Sequence, residues 1–98
     1  MKVHLREEAL DDLADIRSWY AERNRSVARA FMARVQARLG QLADFPELAA
    51  TEAGRPERQL FVAGTPLIIV YRVESIENLI DVIAIVDARR HPSIRSRP

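Results

Sequence analysis

Two stretches of this chain leave it little choice of fold: Leu67-Ile68-Ile69-Val70-Tyr71-Arg72-Val73 and Leu79-Ile80-Asp81-Val82-Ile83-Ala84-Ile85-Val86. Both are rich in β-branched side chains, which suit a pleated, packed surface. Ser75-Ile76-Glu77-Asn78 between them supplies turn chemistry, so the pair reads as an antiparallel hairpin. Strict alternation puts Leu67, Ile69, Tyr71 and Val73 on one face of the first strand and Ile68, Val70 and Arg72 on the other. On the second strand Ile80, Val82, Ala84 and Val86 share a face, opposite Leu79, Ile83 and Ile85. Both faces are apolar through the middle, whereas a small antiparallel sheet ordinarily has one dry face and one wet face. This sheet calls for cover on two sides.

The rest of the chain must provide that cover within 98 residues, the length of one domain with a single core. No cysteine is present, which excludes disulfides, thiolate metal sites and a thiol nucleophile. The longest apolar run is too short to span a bilayer, and Met1-Lys2-Val3-His4-Leu5-Arg6 does not resemble a signal peptide, so a cytoplasmic protein is expected. A net charge of +1 makes no case for nucleic-acid binding. Its distribution is uneven: Arg89, Arg90, Arg95, Arg97 and His91 gather at the C-terminal end, against Asp87 alone. Such a tail can attract phosphate or an acidic partner, or simply be solvated. Lys2 is the only lysine.

Val3-His4-Leu5 reads as a short strand in which His4 is structural. A helix follows, with Ala9, Leu13, Ile16 and Tyr20 on one stripe and Glu7, Glu8, Asp11 and Asp12 in its first turns. Ser26 is the expected N-cap of a second helix, which carries Val27, Phe31, Val35, Leu39 and Leu42 and stops before Pro46. The short link makes an antiparallel hairpin. Folding about Asn24 sets Asp11 and Asp15 near Arg34 and Arg38, as surface ion pairs rather than a metal site. Residues 46–56 form a loop, and Arg58-Gln59-Leu60-Phe61-Val62-Ala63 resumes strand chemistry. The fold class is α+β, ordered β-α-α-β-β-β, an antiparallel sheet with a two-helix hairpin packed on one face. All 98 residues form one domain: helical hairpin about 7–45, C-terminal sheet about 58–88, basic tail 89–98.

Two helices shield one side of such a sheet. Ile68, Val70, Arg72, Ile80, Val82 and Val86 are therefore expected to line an apolar face that a partner completes, unless the tail folds back over it.

The run Glu8-Ala9-Leu10-Asp11-Asp12-Leu13-Ala14-Asp15-Ile16 resembles the first helix of the ParE/RelE toxin superfamily. Ala30-Phe31, Leu42-Ala43-Asp44-Phe45-Pro46, Val70-Tyr71-Arg72-Val73 and Ile85-Val86-Asp87-Ala88-Arg89-Arg90-His91-Pro92 resemble later parts of the same pattern, in order. The resemblance implies a toxin of a bacterial type II toxin–antitoxin system, neutralised by a cognate ParD-like antitoxin, with no cofactor and no metal. ParE-like members poison DNA gyrase by binding; RelE-like members cut messenger RNA on the ribosome. On the gyrase reading, Arg89, Arg90 and His91 contact the target, and the apolar sheet face receives the antitoxin. On the nuclease reading, His91 carries protons while Arg72 and Arg89 stabilise phosphate charge, since arginine is a poor proton carrier. A third reading is an inactive toxin-derived protein that still binds antitoxin. ParE-like chains commonly have histidine and glycine where this one has Asp87 and Ala88, and a carboxylate there is expected to pair with Arg89 and Arg90.

Overall fold

The computed structural model describes residues 1–90. In chain order they form β1 (Lys2–Leu5), α1 (Glu7–Arg23), α2 (Arg25–Asp44), β2 (Arg58–Phe61), β3 (Leu67–Glu74) and β4 (Leu79–Asp87). No helix among them is long and apolar enough to cross a membrane. Asn24 both closes α1 and opens α2. Its N–H donates to the Tyr20 carbonyl, and its side-chain oxygen accepts from the N–H groups of Ser26 (3.0 Å) and Val27 (3.2 Å). The cap is thus Asn24 rather than Ser26, and the hairpin has no loop residue to spare. Helix α2 ends at Asp44, as Pro46 requires.

The sheet runs β1-β4-β3-β2. Strands β2, β3 and β4 are antiparallel, as their spacing predicts, but β1 lies parallel to β4, with Val3 beside Ile80 and Leu5 beside Val82, so the sheet is mixed. Sequence alone gives no direction for a four-residue strand whose partner lies more than seventy residues away.

The second departure has larger effects. Val70 pairs with Ala84 while Tyr71 pairs with Val82, so Ile83 is an extra residue in β4. A bulge of this kind shifts the side-chain phase by one. Ile80 and Val82 therefore face the helices together with Ile85 and Asp87, while Ala84 and Val86 face away with Ile68 and Val70. The expectation that Ile80 and Val82 line an open face is corrected: both are fully buried in the main core, with Ile16, Tyr20, Val35, Leu42, Leu60, Ile69 and Tyr71.

Several polar links fix the layers. Strand β1 runs alongside β4 only as far as Val82, and beyond it the Ile85 N–H donates to the Asp12 carboxylate (3.0 Å). Arg34 Nη1 donates to the Ala63 carbonyl (3.2 Å), and Arg38 Nε and Nη2 donate to that of Phe61 (3.3 and 3.2 Å). The two arginines thus buckle α2 to the end of β2 and are not the partners of Asp11 and Asp15. The buried Tyr71 hydroxyl donates to the Pro46 carbonyl (3.0 Å) and accepts from the Ala49 N–H (3.1 Å), pinning the loop after α2 to the sheet.

Candidate functional site

The end of β4 carries the densest polar network on the helix side. Since the bulge turns Asp87 inward, its carboxylate is only 2% exposed and needs partners of its own. The Tyr20 hydroxyl donates to Oδ2 (2.7 Å), and the Arg89 N–H donates to Oδ1 (3.0 Å). Arg89 Nη2 donates to the Tyr20 hydroxyl oxygen (3.0 Å), with the guanidinium 5.7 Å from the ring centre. Burial pushes the Tyr20 hydroxyl above its usual pKa, the bond to Asp87 adds to this, and Arg89 opposes it. The phenol is thereby kept protonated, as a donor. Arg90 bonds Asp15 through Nη1 (3.0 Å) and lies 5.0 Å from the Trp19 ring, while Arg23 stacks 3.6 Å from the same ring. The expected pairing of Asp87 with both arginine side chains is replaced: the carboxylate reaches Arg89 through Tyr20 and its own main chain, and Arg90 goes to Asp15. His91 lies outside the described residues.

The sheet face away from the helices is greasy at one end and charged at the other. Its rows across the strands are Phe61, Ile68 and Val86; Gln59, Val70 and Ala84; then Arg72, Asp81 and His4. Ile68 and Val86 are themselves buried with Ala88 in a second cluster, so less apolar surface is open than the sequence suggests. Phe61 is the exception, at 55% exposure. At the charged end Arg6 grips Asp81 through Nε (2.8 Å) and Nη2 (2.7 Å), and His4 Nδ1 is 3.4 Å from the other carboxylate oxygen. Burial alone would raise the Asp81 pKa, but hydrogen bonds from Arg6 and then His4, with their charges, hold it below the usual value. The same bond raises Arg6. Arg72 Nε is 3.5 Å from Glu74. Arg72 thus faces away from the helices, while the Arg89 guanidinium rests on α1, and the two do not converge on one site.

A third surface lies between the helices. A groove of about 930 Å³ runs along α1 and α2 to Leu5 of β1. Leu10, Leu13, Ala14 and Ala21 line it from α1, and Ala28, Met32, Ala33 and Leu39 from α2. The short side chains of these alanines leave the valley open, and Leu10 stays 53% exposed. Its charged rim is Arg17, Arg25 and Arg29, with no carboxylate lining it among the described residues.

Residues 3–92 match the family described as ParE toxin of type II toxin-antitoxin system, parDE. The chain belongs to the ParE toxin family. No curated protein sequence matches this ParE-family chain. Among solved structures it is similar to the chromosomal ParDE toxin–antitoxin system from P. aeruginosa, with 18% identity and a TM-score of 0.75 over 89% of this chain and 95% of that one. The intact E. coli RelBE toxin–antitoxin complex matches with 15% identity and a TM-score of 0.64, over 89% and 95% of the two chains. The isolated E. coli RelE toxin matches with 13% identity and a TM-score of 0.62, over 96% of each. These likenesses establish the fold, the ParE/RelE-like α+β architecture. The ParE-family groove is the feature that reading the sequence for a single core stripe overlooks. Its signal is a second stripe on each helix, Leu10-Ala14-Arg17-Ala21 and Arg25-Arg29-Ala33-Gln36, in which alanines and arginines recur at spacings of three and four.

Proposed function

We propose that this ParE-family toxin acts by binding, with DNA gyrase as its target, and is neutralised by a cognate antitoxin whose acidic amphipathic helix lies in the α1–α2 groove. The observation that carries the antitoxin part is the groove itself, an apolar valley rimmed, among the described residues, by three arginines and no acid. A helix with apolar side chains at i, i+3, i+4 and i+7 and carboxylates flanking them complements it in shape and charge. A partner of this kind can be disordered alone and fold on docking. The binding mode of action is supported by the separation of Arg72 from Arg89, which leaves the arginines of the nuclease reading on opposite sides of the sheet.

Expression in bacteria with and without the neighbouring antitoxin gene tests the reading. Growth arrest relieved by the antitoxin, with intact transcripts and inhibition of supercoiling by purified gyrase, is the expected result. Codon-positioned transcript cuts would instead favour the ribosome-dependent nuclease. Absence of any arrest would leave a toxin-derived binding protein.

A further inference from the structure

The segment Asp44-Phe45-Pro46-Glu47-Leu48 breaks the local rules of stability at three nearby points. Asp44 closes α2, whose last turn holds no basic residue, so its exposed carboxylate stands at the negative end of the helix dipole. Phe45 is 64% exposed and Leu48 39% exposed, beside a core with ample apolar area. This is not the slack of a loose loop. The Phe45 N–H donates to the Gln41 carbonyl (2.8 Å), and the Leu48 N–H donates to that of Phe45 (3.0 Å). Tyr71, fully buried at the centre of the sheet, holds Pro46 and Ala49 through its hydroxyl, and Arg58 Nη1 donates to the Ala49 carbonyl (2.6 Å). The main chain is fixed and the aromatic ring is shown to solvent. Departures from local stability that gather on an anchored segment are the mark of a contact made with something else.

We propose that Phe45 and Leu48, flanked by Asp44 and Glu47, form the knob by which this toxin engages its target, a protein surface with an apolar pocket bordered by lysine or arginine. Charge sorts the two partners. The arginine-rimmed groove draws an acidic helix, and the same helix is repelled at residues 44–48. Arg89 and Arg90, which the sequence offers for the target, have their guanidiniums engaged on α1. The proposal rests on the toxin reading above and adds where the target is met.

The test uses the full chain, co-expressed with its antitoxin and then induced alone. Phe45→Gln combined with Leu48→Gln is expected to raise the toxin level needed for arrest at least about tenfold, while antitoxin affinity stays within about twofold. Asp44→Asn is expected to raise the thermal midpoint by about 2–4 °C, by relieving the helix end, yet to weaken arrest. Stability and potency moving in opposite directions is a result that a purely structural role would not produce. Arrest by the double variant at wild-type levels overturns this proposal alone, as does a parallel loss of antitoxin binding. A wild-type chain that arrests nothing overturns the toxin reading and this proposal with it.

Discussion

Asp87 shows how one buried carboxylate can organise its surroundings. At 2% exposure it depends on the Tyr20 hydroxyl, the shorter of its two bonds. Tyr20→Phe should cost about 1–3 kcal/mol in urea unfolding, because a buried acceptor loses its donor. Pairing it with Asp87→Leu should recover part of that loss by removing the orphaned charge. Asp81 makes a pH-dependent case. Its folded-state pKa lies below the unfolded value near 3.8, so its stabilising effect is fully present above that value and disappears as pH falls through the folded pKa. Asp81→Asn should therefore destabilise by about 1–2 kcal/mol at pH 7, the bond to half-exposed Arg6 being partly screened, with the difference from wild type closing as pH falls through the folded pKa. Thermal unfolding across that range checks the sign. At this scale the sequence names the charged residues well and their partners poorly. Arg34, Arg38, Asp12 and Arg90 find partners 23 to 75 residues away, three of the four bonds involving main-chain groups, and no local spacing encodes such meetings.

Both helices and all four strands can be read from periodicity, because each has enough apolar residues at its own repeat to outweigh the alternatives. The bulge cannot. Every residue from Leu79 to Val86 except Asp81 is apolar, so the phase slip at Ile83 leaves no mismatch in the pattern, and strict alternation assigns Ala84 and Val86 to the face of Ile80 and Val82. That slip is what brings both Val82 and Ile85 under the helices and delivers Asp87 to Tyr20. Deleting Ile83 should leave Val82 next to Ala84 in the alternation that their partners Tyr71 and Val70 already keep, so that Ile80, Val82, Ile85 and Asp87 all stay under the helices. The expected outcome is a variant that keeps a single cooperative unfolding transition. Loss of that transition would mean that the bulge itself, and not only the phase it sets, is needed to seat the strand.

As a whole, the described residues make a mixed sheet with one helical layer, and their surfaces differ in character: an arginine-rimmed valley on the helices, a sheet face with a charged end, and an anchored acidic knob. The valley was the least legible from sequence, since its alanines read as neutral helix formers and not as space. Ala14→Glu with Ala33→Glu, both at exposed positions, should place carboxylates among Arg17, Arg25 and Arg29 and repel an acidic helix. Antitoxin affinity should fall at least about a hundredfold, with stability within about 0.5 kcal/mol of wild type. Calorimetric titration and a melt on the same sample distinguish this from unfolding. Meanwhile Trp19, the chain's one indole, sits between Arg23 and Arg90 where α1 meets the last turn. Its emission therefore offers an unlabelled optical gauge of that junction, so that any encounter which tugs Arg90 away from the ring can be followed in real time by a change of colour or brightness.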